Sequence, residues 1–111
     1  MKGALPGDLP DKVAKRIEKI KDFLVDRLDP SRVILFGSLV SAPEKERGYD
    51  IDLMVYGARP LSHREERMLR EAVDELAGIY SVDLMWADRV EEDFKAVVEL
   101  TGAVIYEKDR G

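Results

Sequence analysis

Two hydrophobic periods alternate along this chain, and together they predict a mixture of helices and strands. Apolar residues at steps of three and four predict a first amphipathic helix, capped by Asp8 and ended by Asp29-Pro30. The same spacing between residues 69 and 80 predicts a second helix, which begins at the capping pair Ser62 and Glu65. The apolar positions of the first helix are Val13, Ile17, Ile20, Leu24 and Leu28.

Short runs of β-forming residues separate these helices and predict strands. They cover residues 33–36, 50–56, 82–86 and 103–106. A last helix is expected between residues 94 and 100, with Asp88 and Glu91 as a second capping pair. Strands and helices in this order predict an α+β fold with one mixed β-sheet and flanking helices.

The ends of two predicted strands carry polar residues that suggest a site. The first strand ends in Gly37-Ser38, and the second begins with Asp50 and Asp52. Side chains alternate along a strand, so both carboxylates project from one face, and Ile51 projects from the other. Two carboxylates about 4 Å apart repel each other by roughly 4 kcal/mol at an effective dielectric of 20, so a cation is expected between them.

Hard oxygen ligands favour Mg²⁺ or Mn²⁺, which are commonly shared between carboxylates and substrate phosphates. The Gly37-Ser38 turn adds exposed backbone N–H groups and a hydroxyl, which suit phosphate oxygens. Together these residues predict a site for a nucleoside triphosphate and a divalent ion at one end of the sheet.

These residues resemble the minimal nucleotidyltransferases of the DNA polymerase β-like superfamily. The family signature is a Gly-Ser pair that ends the first strand and an Asp-x-Asp pattern that opens the second, here Gly37, Ser38, Asp50 and Asp52. The third carboxylate of the family lies on a later strand, where Asp83 matches it. The resemblance implies a small nucleotidyltransferase fold over nearly the whole chain.

The resemblance also implies roles for these residues. Asp50, Asp52 and Asp83 would be the catalytic residues and the ligands of Mg²⁺, and Asp83 would help to deprotonate an attacking hydroxyl. Gly37 and Ser38 would bind the phosphates of ATP. Each aspartate taken singly is an ordinary turn or cap residue, so the prediction depends on all three meeting on one face.

The sequence departs from the family pattern around the site. Leu39 stands where the family usually has a basic residue, and Tyr49 stands where a small polar residue usually precedes the aspartates. Lys45 or Arg47 in the intervening loop is a candidate substitute for the missing basic residue, although a solvated loop is the more common role of such a segment. Trp86 is expected in the core rather than stacked on a base.

Composition limits the classes of function. The chain has 111 residues, of which 45% are hydrophobic and 37% are charged, as expected for one globular domain over residues 1–111 with loose ends at 1–7 and 107–111. The net charge of −5 argues against direct nucleic-acid binding. Cysteine is absent and His63 is the single histidine, which excludes thiolate zinc sites and disfavours a catalytic triad.

Two further expectations follow from residue usage. The sequence has no apolar run of membrane-spanning length and no leader-like start, so we expect a cytoplasmic protein without a membrane role. Asparagine and glutamine are absent, a usage typical of thermophile proteins. We therefore expect a thermal midpoint above the usual mesophile range.

The resemblance suggests a partner as well. Chains this short in the family resemble the antitoxin of a toxin–antitoxin pair, whose partner is a HEPN-type ribonuclease toxin encoded nearby. The implied reaction is transfer of AMP from ATP to a tyrosine of that protein. Two alternatives stay open: a partner-binding module without turnover, and an enzyme that modifies a small molecule such as an aminoglycoside, whose pocket would require a homo-oligomer.

Overall fold

The computed structural model describes residues 5–6, 9–41 and 50–109, which form a four-stranded mixed sheet with helices on both faces. This confirms the predicted α+β fold. Within these residues no helix is both long and apolar enough to span a membrane. The helices are α1 (Asp11–Leu28), α2 (Ser38–Ser41), α3 (His63–Ala77) and α4 (Glu92–Thr101), and the strands are β1 (Arg32–Phe36), β2 (Asp50–Tyr56), β3 (Ser81–Trp86) and β4 (Ala103–Glu107).

The strand order is β3-β2-β1-β4, with β1 antiparallel to both β2 and β4 and β2 parallel to β3. An antiparallel neighbour ends where its partner begins, and parallel neighbours begin together. The end of β1 therefore meets the starts of β2 and β3 at one end of the sheet. This arrangement brings Gly37 close to Asp52, whose register partner on β3 is Asp83.

One face of the sheet carries the larger core. The five predicted apolar positions of α1 are all fully buried there, and α3 adds Leu69, Val73 and Ala77. The guanidinium of Arg16 donates a hydrogen bond of 3.1 Å to the carbonyl oxygen of Leu76 and so links the two helices. This face is covered by two long helices and supplies most of the buried apolar surface.

The opposite face is less polar than strand alternation alone predicts. Aspartates occupy only its end, and the rest forms a smaller core that includes Met54 and Tyr56 and packs against Val98 of α4. The hydroxyl of Tyr56 donates a 3.0 Å hydrogen bond to the Glu99 carboxylate of α4. The predicted carboxylates of this face therefore lie only at the starts of β2 and β3.

Helix ends follow the predicted signals in part. Ser62 and Glu65 form both bonds of the predicted capping box. Asp8 lies outside the described residues, and Pro10 is the N-cap of α1 without a side-chain cap bond. The second predicted capping pair, Asp88 and Glu91, is wrong: Asp88 lies in a 3₁₀ turn, and Glu91 precedes α4 without a side-chain cap bond.

Candidate metal and nucleotide site

The three predicted carboxylates lie on one face at the starts of β2 and β3. Asp52 and Asp83 are partners in the parallel register, and neighbouring strands are about 4.8 Å apart, so their side chains are adjacent. Asp50 is two residues before Asp52 on the same face, roughly 7 Å along the strand. Alternation and register thus place the three aspartates on one face of the sheet, with Asp83 adjacent to Asp52.

The surroundings of Asp52 disfavour its ionised form. It is half-buried, whereas Asp50 and Asp83 are exposed. Burial, followed by the negative charges of Asp83 and Asp50, raises the pKa of Asp52 from 3.8 to about 6. A cation near these oxygens would remove both the repulsion and part of the burial penalty, so the electrostatics of the site fit a positive ion.

The three aspartates do not form a closed cage. Within the described ranges, no group of three or more acidic or histidine side chains is placed so that it could hold a metal ion. Mg²⁺ commonly uses only one or two protein carboxylates and completes its shell with water and phosphate oxygens. The oxygen donors present therefore fit Mg²⁺ bound together with a triphosphate better than a permanently bound structural ion.

Gly37 forms the tight turn that brings the end of β1 against the site. Its φ angle is +83°, in the left-handed region that favours glycine. A Cβ atom at this position would overlap the Oδ2 atom of Asp52. The backbone of Gly37 thus lies directly beside the central carboxylate, where only a residue without a side chain fits.

Ser38 begins α2 and is exposed. The backbone N–H groups of Val40 and Ser41 donate to the Gly37 carbonyl oxygen at 3.0 Å each, which fixes the turn. Ser38 is thus an exposed hydroxyl residue on a fixed backbone, directly after the glycine that lies against Asp52. This position suits a phosphate contact.

Burial in the core explains why Leu39 departs from the family pattern. Its side chain is only 1% exposed and packs in the larger core with the buried residues of α1. A basic side chain there would have to leave the core or bury its charge, so this position serves packing. The candidate substitutes Lys45 and Arg47, and the other departure at Tyr49, lie outside the described residues.

Trp86 lies on the face opposite the aspartates, as expected for a core residue. It is 8% exposed, and its indole N–H donates to the carboxylate of Glu66 at 3.3 Å. Arg70 and Arg89 bind the same carboxylate and lie 6.0 Å and 5.6 Å from the indole ring. Burial alone would raise the pKa of Glu66, but the hydrogen bonds from Arg89, Trp86 and Arg70 lower it overall.

Sequence reasoning did not find this carboxylate–arginine cluster. Glu66 and Arg70 have the i, i+4 spacing of a helical ion pair, but nothing local links them to Arg89. A cavity of about 160 Å³ beside Arg89 is lined also by Val55 and Trp86, at the ends of β2 and β3 away from the aspartates. It is thus separate from the aspartates, and we assign it no part in the site.

Comparisons with known proteins identify the fold and the family. No curated protein matches the sequence. A toxin–antitoxin structure with AMP-PNP is 22% identical, with a TM-score of 0.64 over 86% of this chain and 74% of that chain. The MntA–HepT toxin–antitoxin structure is 22% identical, with a TM-score of 0.61 over 85% and 72%. A minimal nucleotidyltransferase is 18% identical, with a TM-score of 0.66 over 87% and 97%.

At these identities the structural likeness establishes the fold. The family assignment comes from the sequence itself, because a family model described as polymerase beta, nucleotidyltransferase matches residues 18–111. That range contains the Gly37-Ser38 turn and all three aspartates. The chain therefore belongs to the polymerase β nucleotidyltransferase family.

Proposed function

We propose that this chain is a Mg²⁺-dependent nucleotidyltransferase that transfers AMP from ATP to a hydroxyl group of a protein partner. The observation that carries the proposal is the meeting of Asp52, Asp83 and the Gly37 turn at one end of the sheet. Membership of a nucleotidyltransferase family supports the reaction class. The elevated pKa of Asp52 supports a role for a cation at this place.

The proposed roles follow the positions of the side chains. Asp50 and Asp52 would hold Mg²⁺ against the triphosphate, while the Gly37 backbone and Ser38 hydroxyl bind the β- and γ-phosphates. The bound ion would neutralise the charge that develops on the phosphate oxygens. Asp83 would ligate the ion and accept the proton of the acceptor hydroxyl, whose oxygen bonds to the α-phosphorus as pyrophosphate leaves.

The proposed acceptor is a HEPN-type toxin encoded nearby, with a tyrosine hydroxyl as the group modified. Support comes from two similar structures that are toxin–antitoxin assemblies. One of them contains AMP-PNP, an ATP analogue. In this proposal the chain is the antitoxin and silences its partner by adenylylation.

Radiolabelled ATP tests the proposal directly. We expect label from the α-phosphate of ATP to be transferred to the HEPN-type protein encoded beside this chain, and this transfer should require Mg²⁺. Asp50→Ala should reduce the labelling rate at least about a thousandfold, because Mg²⁺ would then lose one of its protein ligands. The control is Asp74→Ala, which removes an exposed carboxylate on α3 and should leave the rate unchanged. Equal labelling by both variants would refute the assigned site.

A second candidate function is a module that binds its partner without turnover. The burial of Leu39 favours it, because the position after the Gly-Ser pair offers no positive charge to a triphosphate. Calorimetry and labelling separate the two functions. A tight complex that forms without Mg²⁺-dependent ATP uptake and without label would support the module, and label on the partner would exclude it.

A further inference from the structure

One helix of this protein leaves a row of apolar side chains uncovered. On α4, Phe94, Val97 and Leu100 are 39%, 57% and 85% exposed. At about 100° per residue they lie within an arc of roughly 120°, and the buried Val98 lies just beside that arc. The apolar sector of α4 is thus wider than the part that touches the sheet. We call these three residues the α4 stripe.

The α4 stripe differs from the other exposed apolar residues among those described. Met68 in α3 and Ile79 in the following turn are also large and exposed, but they do not form a row with each other. Single exposed apolar residues are ordinary on protein surfaces, whereas a contiguous apolar row is typical of an interaction site.

The α4 stripe begins beside the candidate site. The ring of Phe94 packs edge-on against the ring of Phe36, with centroids 5.8 Å apart and an interplanar angle of 81°. Phe36 is the register partner of Asp52 across β1 and β2. The stripe then runs to Leu100, about 9 Å further along the helix. A molecule seated on the stripe would therefore reach the aspartates with one end.

The surface around the stripe is acidic. Asp93 lies within the arc of the stripe, and Glu91, the N-cap residue of α4, lies near its Phe94 end. Lys95 lies on the other side of the helix, where its ammonium group pairs with Glu92 at 3.2 Å. A complementary surface would present apolar side chains flanked by lysine or arginine. A second copy of this chain would bring the same acidic residues together in a symmetric contact and is disfavoured by repulsion.

We propose that the α4 stripe is the docking surface for the acceptor protein, which binds through an apolar patch flanked by basic residues and so presents its hydroxyl to the aspartates. This inference depends on the proposed transfer to a protein. It assigns recognition of the acceptor to α4 and leaves binding of ATP to the sheet end.

A charge placed in the stripe tests the proposal. The double variant Val97→Glu/Leu100→Glu should raise both the KM for the HEPN-type acceptor and the Kd of the complex at least about tenfold. Binding of MgATP, measured by calorimetry, should stay unchanged, because neither residue touches the sheet end. The matched control Met68→Glu/Ile79→Glu places the same two charges on other exposed apolar positions and should change neither constant.

A second variant tests the charge complementarity. Glu91→Gln/Asp93→Asn should raise the Kd about threefold at low salt and reduce its dependence on ionic strength. A salt dependence equal to that of the unmodified protein would exclude a basic partner surface.

The possible results separate this inference from the proposed function. If the unmodified chain transfers no label but binds the acceptor, the transfer proposal fails, and the Kd values still decide the docking proposal. Docking on α4 is overturned if the stripe variant keeps the unmodified Kd, or if the unmodified chain does not bind the acceptor. It is also overturned if sedimentation shows that the unmodified chain alone forms a dimer that the stripe variant dissolves.

Discussion

The two faces of the sheet are covered very differently, although the same strands supply both. On one face, two long helices bury a continuous apolar core. On the other, the shorter helix α4 covers a smaller core, and the strand starts beyond it carry Asp50, Asp52 and Asp83. The two faces therefore differ in role: the first supplies most of the core that stabilises the fold, and the second carries the proposed sites for a ligand and a partner.

Strand β2 allows the stability contributions of the two faces to be compared, because its successive residues point to opposite faces. Leu53 packs in the larger core and Met54 in the smaller one, and both are fully buried. Burial alone therefore predicts the same loss for both. The surroundings predict a difference, because a cavity costs more where its neighbours cannot move into it.

The largest effect is expected from Leu53→Ala, at about 4 kcal/mol of unfolding free energy, against about 2 kcal/mol for Met54→Ala. Leu53 lies beneath two long helices, whereas Met54 lies beneath α4, whose Phe94 is still partly exposed. The flexible methionine also leaves a space that its neighbours fill more easily. Urea denaturation measures both values, and equal losses would contradict the proposed difference between the faces.

The second effect concerns the boundary between the sheet and the site. Gly37→Ala should cost about 2 kcal/mol of stability, because φ is positive there, and should slow nucleotide transfer about a hundredfold, because the new Cβ displaces the Asp52 carboxylate. Denaturation and labelling rates measure the two effects separately.

Gly57→Ala is the matched control for this variant. Gly57 also has a positive φ, of +64°, and a Cβ there would meet the Ser31 Oγ atom at 2.6 Å, but it follows β2 at the end away from the aspartates. It should cost similar stability without slowing transfer beyond the fraction unfolded. Equal slowing in both variants would mean that Gly37 acts only through stability.

Much of the fold could be predicted because it depends on local patterns. The helical spacing in α1 identified all five of its buried positions, and the Ser62 capping box marked the start of α3. The approach of Asp83 to Asp52 needed one further inference, that their strands are neighbours. The register confirms that inference.

The remaining features depend on contacts between distant segments. Leu39 follows the Gly-Ser turn directly, and only the packing of α2 against the core explains why it is apolar. In the same way, the apolar residues of α4 predict a buried helix face, but Leu100 lies about 160° around the helix from the buried Val98 and is exposed. Neither outcome is visible from spacing within a single element.

The smallest effect concerns Asp52. It tests whether the ionised Asp52 carboxylate destabilises the folded protein when no cation is bound. Because the folded-state pKa of Asp52 lies at about 6, above its ordinary value of 3.8, its contribution to stability is complete below about pH 4 and is lost as the pH rises through about 6. Asp52→Asn removes this loss. Since the side chain is only half-buried, solvent screening limits the expected gain to about 1 kcal/mol at pH 8, or about 4 °C in Tm.

Thermal unfolding of the wild type and Asp52→Asn between pH 4 and pH 8 checks this prediction. The two curves should coincide near pH 4, separate between pH 4 and pH 6, and stay a constant distance apart above pH 6, with the variant more stable. The curve of Asp50→Asn, a change at an exposed position, should diverge less from that of the wild type.

Adding Mg²⁺ and ATP should reverse the order of stability, because binding then stabilises the wild type more than Asp52→Asn. A wild type that is the more stable protein at pH 8 without ligands would show that Asp52 is not under electrostatic strain, and the electrostatic argument for a cation at this site would fail.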